Sequence, residues 1–300
     1  MAESFGGPEA LELREVPEPH AGPGRVRVRV TAASLNPVDW KILANEQTAS
    51  AFGVSLPAGF GNDFAGVVDE VGDGVTGFAV GDRVFGGAFG RAVADHVVVD
   101  PAVDRIRHTP EGLDDATAST LDIAARTADA ALGVIGVGAA DTVLVGGAAG
   151  GVGVFTVQLA RLAGARVIGT ASEASFEFLR GLGAEPVAYG DGLADRVRAL
   201  APDGITAATD LHGTETAVAA SELGVPAERI STIAAHGVVL PATATGAGAS
   251  DPGALDRVAA LIVDGQLTVP IAATYPIDRI RDAVAFQAAG HVHGKIVVTL

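Results

Sequence analysis

The stretch DTVLVGGAAGGVGVFTVQLARLAGARVIGTAS, residues 141–172, is the part of the chain around which everything else arranges itself. Its opening residues, 142–145, are β-branched or apolar and carry no charge, the composition of a strand buried on both faces of a parallel sheet. A glycine-rich turn follows, with Gly147, Gly150 and Gly153 recurring every third residue. Ala148, Gly150 and Gly153 fill the places of the dinucleotide fingerprint G-x-G-x-x-G, with alanine at the first. Such a turn presents backbone N–H groups without side chains at the start of a helix, where a diphosphate can approach them. Residues 154–163 supply that helix, Gly164 its stop, and 166–170 the next buried strand. A glycine fingerprint alone is a weak signal. Strand, glycine turn, helix, glycine and strand within about thirty residues is a specific one, and it predicts dinucleotide binding.

The 300 residues, 48% of them hydrophobic, suffice for one large or two ordinary domains. A formal charge of −16 repels nucleic-acid phosphates and anionic lipid, so neither nucleic acid nor a membrane is an expected partner. Cysteine is absent, which removes disulfide frameworks, thiol nucleophiles and thiolate zinc sites together. The first residues, MAESFGGPEALELREVPEP, are charged and proline-broken where a secretory signal would need an apolar core. The most apolar region, 130–163, is interrupted by Asp141 and by glycines and is not read as a membrane span. A soluble cytoplasmic protein is the expectation.

Before the glycine turn the texture is β-rich. In RVRVRVTAAS, Val26, Val28 and Val30 alternate with Arg25, Arg27 and Arg29, the period of a half-buried antiparallel strand with its arginines in water. Pro37 then breaks the extended chain and LNPVDWKILA can begin a helix. The loop NEQTASAFGVSLPAGFG has no clear pattern, and NDFAGVVDEVGDGVTGFAVGDRVFG alternates short strands with Gly-Asp turns, as in a small barrel or sandwich. From Leu113 the chain becomes alanine-rich and helical, and after the glycine turn strands alternate with helices, implying a doubly wound parallel sheet. The tail returns to strands in TVPIAATYPI and KIVVTL. The expected architecture is a β-rich domain from 1–108 and 269–300, with a nucleotide-binding domain, 109–268, inserted into it.

These pieces carry a likeness. FGGPEALELREVPEP, VRVRVTAASLNPVDWK, GNDFAGVVDEVG, GDRVFG, VLVGGAAGGVG, LGAEPVAY and HVHGKIVV, in this order and spacing, resemble the zinc-independent quinone oxidoreductase branch of the medium-chain dehydrogenase/reductase superfamily. The resemblance implies an α/β protein with a GroES-like substrate domain and a Rossmann domain, the active site in the cleft between them, and a homodimer, for which the segment ERISTIAAHGVVL is a candidate contact and equally a buried strand. Zinc-dependent relatives place a cysteine after the first long strand and a Gly-His-Glu motif on the metal. The matching places here read Asn36 to Trp40 and Gly61, Asn62, Asp63, and no four-cysteine lobe stands between Gly81 and Arg83, so no metal is expected.

Without a metal the chemistry falls to the cofactor: hydride passes from a dihydronicotinamide to a quinone or to the β-carbon of an α,β-unsaturated carbonyl. The protein must hold the reacting carbons together and offer a donor where negative charge grows. The resemblance makes Asn36 and Lys41 the catalytic candidates; a turn-capping amide and an exposed helical lysine are their bland alternatives. Asp39 is read as a structural partner rather than an acid. For the cofactor the expected residues are Thr127, Ala148, Gly150, Gly151, Val152, Gly153, Thr170, Ser172, Tyr189, Asp210 and Lys295. The second strand ends in small, hydroxylated residues where an NAD-specific fold carries an acid, and Tyr189 matches a family position near the 2′-phosphate, so NADP(H) is expected. Arg180, His293 and Lys295 are the candidates for the phosphate's counter-charge, and Asp210 is alternatively a helix cap. Asp122 and Arg126 replace a frequent proline and leucine, and at i, i+4 they read as an ion pair on a helix surface. Two other functions stay open: a nicotinamide-binding sensor without turnover, and a zinc-free reductase tailoring a natural-product intermediate.

Overall fold

In the computed structural model, which describes residues 1–234 and 241–300, the alternating valines and arginines form the first half of β1 (Val26–Leu35). The chain continues through α1 (Pro37–Leu43), α2 (Glu46–Ala51), β2 (Asp63–Val71), β3 (Arg83–Gly87), β4 (His96–Val99), β5 (Arg105–His108), α3 (Asp115–Ala118) and α4 (Asp122–Gly133). Next come β6 (Thr142–Gly146), α5 (Gly153–Leu162), β7 (Arg166–Ala171), α6 (Phe176–Gly181), β8 (Glu185–Ala188), α7 (Leu193–Leu200), β9 (Ala207–Asp210), α8 (Glu215–Glu222) and β10 (Ile230–Thr232). The chain ends with β11 (Thr243–Ala244), α9 (Ala254–Val263), β12 (Ile271–Pro276), α10 (Ile280–Ala288) and β13 (Lys295–Thr299).

Two compact units result: Met1–Ile123 with Ala259–Gln266 and Ile271–Leu300, and Ala124–Val258 with Leu267–Pro270. The first unit thus runs past the expected boundary after residue 108. The reason is α3, which packs on β1 and β2; its Asp115 accepts from Thr31 Oγ1 at 2.7 Å and pairs with Arg83 at 2.5 Å.

In the first unit β1 is the hub of a seven-stranded sheet of order β12-β13-β1-β2-β3-β5, with β4 also on β1. Residues 26–29 of β1 pair with β4 and 32–35 with β13, while β2 lies along the other side. A register shift between Val30 and Ala32 ends the simple alternation. Val26, Val28 and Val30 join Phe64, Val84 and Ile106 in one core, whereas Leu35 joins Ile42, Phe60, Val284 and Ile296 in another. Both faces of β1 are therefore buried beyond the shift, and that end of the strand carries Ser34 and leads to Asn36. The loop that showed no pattern contains α2, started by Asn45, whose side chain accepts from Thr48 N at 2.9 Å.

The second unit holds a six-stranded parallel sheet of order β11-β10-β9-β6-β7-β8. This is the expected doubly wound sheet, with the chain starting at its centre, β6, and winding out to both sides. Leu144, Ile168, Ala208 and Ile230 bury the sheet against Val197, Ala217 and Ala220 of the helices. α8 was not legible: its alanine-rich sequence lacks an apolar stripe, but parallel β9 and β10 require a crossover, and small residues Ala217, Ala219 and Ala220 bury it closely. Of the segment proposed for subunit contact, Ile230–Thr232 is an interior strand between β9 and β11, and residues 235–240 lie outside the described residues.

Candidate functional site

At the carboxyl end of β6 the backbone turns sharply at Gly147, whose φ of 66° is open to glycine without strain. Its N–H donates to Thr170 Oγ1 at 3.1 Å, and Ala148 N donates to Thr170 O at 3.2 Å, so β7 clamps the turn. The tight-turn position is thus Gly147, one place before the fingerprint's first residue. Ala148 is instead fully buried, with its methyl against Gly169. At Gly153 a Cβ would lie 2.3 Å from Gly147 O and 2.5 Å from Ala148 O, so α5 can close onto the turn only through glycine. At Gly150 the nearest atom, Gly147 O, would be 3.4 Å away, and the space above the backbone is open. The N-cap of α5, Val152, supplies no side-chain cap. Gly150, Gly151, Val152 and Gly153 therefore form a glycine-rich cradle at a helix N-terminus, the chemistry that suits a diphosphate.

Beside it, Ala171 of β7 pairs with Ala188 of β8, which brings the following Ser172 and Tyr189 to the same sheet end. Tyr189 is half exposed, and Ser172 Oγ lies 3.0 Å from Ser175 Oγ. A residue not singled out by sequence fixes this corner. Arg196 donates to the carbonyls of Ala188, Tyr189, Gly190 and Asp191 at 2.7–3.1 Å, a guanidinium nested in four consecutive carbonyls. Thr127 is buried in α4. Asp210 takes the bland role: Oδ1 accepts from His212 N and Gly213 N, Oδ2 from Thr216 N and Ala217 N, at 2.9–3.2 Å. Its four acceptor positions are filled by backbone, so it anchors α8 rather than a ligand.

The first unit contains the other concentration of chemistry, where the ends of β1, β2 and β13 meet the starts of α1 and α4. Asn36 Oδ1 accepts from Lys295 Nζ at 2.5 Å and Asn36 Nδ2 donates to Asp63 Oδ2 at 2.8 Å. Lys295 Nζ also donates to Leu35 O at 3.2 Å and stands 3.7 Å from Asp63 Oδ2. Asp63 accepts further from Ser34 Oγ and from Ile123 N. Asp39 Oδ2 accepts from Asn36 N at 2.7 Å and its Oδ1 from Asn62 Nδ2 at 2.5 Å; Asn62 Oδ1 in turn accepts from Gly90 N at 3.0 Å. Asn36, Asp39, Asn62, Asp63 and Lys295 are each no more than 5% exposed. Beyond them Asp122 pairs with Arg105 at 2.9 Å.

Lys295, expected at the cofactor phosphate, is instead buried as the counter-cation of Asp63. Lys41 lies apart from this network, exposed on α1 with its ammonium 5.7 Å from the Trp40 ring centroid. Of the two catalytic candidates only Asn36 joins the cluster. Asp122 and Arg126 are also not helix-surface residues: both are buried, and Arg126 donates to Ser250 Oγ and Ala247 O.

Burial governs the protonation of this cluster. It raises Asp39 to about 8, with the charge of Asp63 adding to the effect, and raises Asp63 to about 6 against the pull of Lys295. Burial also lowers Lys295, opposed by both aspartates. Of the two aspartates Asp39 is raised further, so it is the one that keeps its proton toward neutral pH. Asp39 and Asn62 also line a cavity of about 270 Å³, whose apolar walls include Ile42, Leu43, Val54, Phe60 and Phe89. As a metal site the cluster is poorly suited: both amide oxygens already accept N–H donors and an ammonium sits among the carboxylates. Among the described residues no group of three or more His, Asp or Glu side chains could hold a metal ion.

Comparison with known proteins gives two family matches. Residues 22–146 match the alcohol dehydrogenase GroES-like domain and 170–298 the zinc-binding dehydrogenase family. A quinone oxidoreductase of Pseudomonas aeruginosa is 36% identical over 172 residues, 56% of this chain and 51% of that protein. The chain thus spans about half the length of the curated relatives it matches first. The chloroplastic NADPH-dependent alkenal/one oxidoreductase of Arabidopsis thaliana is 29% identical over 98% of this chain and 77% of its own. Among solved structures, the quinone oxidoreductase of Coxiella burnetii superposes with a TM-score of 0.88 at 29% identity, over 100% of this chain and 98% of that one.

Proposed function

The chain belongs to the medium-chain dehydrogenase/reductase superfamily of nicotinamide-dependent oxidoreductases, and from that premise we propose that it is an NADPH-dependent reductase of quinones or of activated C=C bonds, working without zinc. The observation that carries the proposal is the glycine turn at residues 147–153, in which Gly150 and Gly151 leave the backbone without side chains where a diphosphate needs it. When bound there, the dihydronicotinamide supplies the hydride. The amides of Gly150, Gly151 and Val152 hold the diphosphate. Ser172 and Tyr189, on the corner locked by Arg196, face the adenosine end. The absence of an acid at the end of β7, where Ala171 and Ser172 stand, favours the 2′-phosphate of NADP(H). The cavity beside Asp39 holds the acceptor: its aromatic and aliphatic walls suit a planar enone or quinone, and its polar end lies at Asp39 and Asn62. The lysine ammonium among the carboxylates supports a reaction without metal, since a divalent cation would have to displace it.

Two measurements test this. NADPH is expected to raise the melting temperature more than NADH at equal concentration, because a ligand stabilises the folded state in proportion to its affinity. Stopped-flow NADPH oxidation with a panel of quinones, enals and enones is expected to show turnover that survives a chelator. A larger shift with NADH overturns the cofactor choice, binding without oxidation favours a sensor, and loss of turnover on chelation overturns the metal-free reaction.

A further inference from the structure

The cavity and the buried cluster share Asp39, and the mechanism so far leaves the proton of the reduction without a source. We propose that Asp39 is the acid of this site: its carboxyl gives the proton that completes reduction of the acceptor held in the cavity, with Asn62 and the Asn36 backbone aiming it. This rests on the function proposed above.

Only two acceptor positions of the Asp39 carboxyl are occupied, by Asn62 Nδ2 and Asn36 N, out of about four on a carboxylate. A proton can therefore sit on either oxygen and point away from the amides. The orientation is fixed, since Asn62 is held by Gly90 N and Asn36 by Lys295 and Asp63. The charged groups that act on Asp39 are Asp63 on β2 and Lys295 on β13; Asp63 in turn faces Asp122 at the start of α4, with which Arg105 on β5 pairs. Burial and the charge of Asp63 together hold the proton on Asp39.

The step balances. A hydride that the bound cofactor would supply to the β-carbon of an enone would leave an enolate, and one supplied to a quinone would leave a hydroquinone anion. The O–H bond of Asp39 breaks as a C–H or O–H bond forms on the acceptor. The carboxylate left behind recovers its proton from solvent, so one hydride and one proton are consumed per turnover.

Infrared difference spectra of the unliganded protein, titrated from acid to alkaline pH, read Asp39 directly. The expected result is a protonated-carboxyl stretch that persists at neutral pH, disappears with a midpoint near 8, and is missing in Asp39→Asn. Asp39→Asn is expected to bind NADPH as the wild type does, by fluorescence titration, while kcat falls about 10²–10⁴-fold, the usual contribution of a general acid. Asp63→Asn provides a second variant that keeps the acid. Removing the neighbouring negative charge moves the alkaline limb of kcat, and the infrared midpoint, to lower pH, a shift that a purely structural role would not produce. If the wild type turns over and Asp39→Asn keeps its kcat and pH limb, or the stretch is absent at neutral pH, or Asp63→Asn leaves both midpoints in place, Asp39 is not the acid and the proposed function stands. If the wild type fails to oxidise NADPH with every quinone, enal and enone tested, the proposed function fails and the inference with it.

Discussion

Gly150 and Gly153 differ by what a methyl group would meet. At Gly153 it would press into two carbonyl oxygens of the turn, and neither can retreat without opening the start of α5. Gly153→Ala is expected to lose about 1–3 kcal/mol of stability in urea titration, the usual cost of overpacking. At Gly150 the methyl meets only Gly147 O, at 3.4 Å, so Gly150→Ala is expected to unfold within about 0.5 kcal/mol of the wild type yet to weaken NADPH binding at least about tenfold, a loss of about 1.4 kcal/mol. Equal NADPH affinity would remove the diphosphate from this turn. Lys295 offers a second contrast. Lys295→Met leaves Asp63 and Asp39 buried without their ammonium and is expected to cost about 3–5 kcal/mol; a loss confined to NADPH affinity, with stability intact, would restore it as a cofactor ligand. These residues also mark the limit of what sequence conveys. Asn36 was found because a turn signal and a family motif coincide there. A lysine opening a terminal strand reads as a surface residue, and nothing local reports that Ser34, Asn36, Asp63 and Lys295, from opposite ends of the chain, converge. Asp39 was set aside because a raised pKa comes from surroundings and not from the residue itself.

Elements with their own periodicity were legible and elements made by tertiary demand were not. The valine alternation of β1, the apolar run of β6 and the glycine stops of α5 and α6 are visible in the sequence because each reflects a local rule. α8 exists because two parallel strands must be joined, and it is held at its start by one carboxylate. Asp210 at the end of β9 accepts from four backbone N–H groups in the turn and first residues that follow. Asp210→Ala strips all four of their partner at once and is expected to destabilise by about 2 kcal/mol or more, the upper range for losing a helix cap, with buried donors left unpaired. Asp210→Asn keeps one oxygen and should recover part of that loss. Because the carboxylate has no acceptor position to spare, NADPH affinity of the folded Asp210→Asn protein, measured by fluorescence titration, is expected to match the wild type. A tenfold loss there with little change in stability would return Asp210 to the cofactor.

At the scale of the molecule the buried cluster sets how stability depends on pH. Asp39, about 8 in the folded protein, lies near 3.9 in an unfolded chain. The native state therefore keeps a proton that the unfolded state releases, and stability falls wherever the native state binds more protons. The contribution is complete below about pH 4 and is lost as pH rises through about 8. Asp63, raised to about 6, adds a loss of the same sign over the lower part of that window. Lys295 acts oppositely, between its lowered value and the ordinary lysine value, where the unfolded state binds the extra proton. Carboxylates such as Asp141, where the donors Thr206, Gly138 and Arg229 outweigh burial and the value is lowered, withdraw their stability as pH falls through their folded values. The maximum is therefore expected on the acid side of neutrality. The formal charge of −16 also favours that side by self-repulsion, but that term is screened by salt while a buried aspartate is not. Melting temperatures of wild type and Asp39→Asn, followed from about pH 4.5 to 8.5 in high salt, separate the two effects: the wild type is expected to fall across this range, and the variant, with no proton to lose at residue 39, to fall less steeply. Parallel curves would mean that Asp39 is ionised throughout and is not the group that keeps the proton.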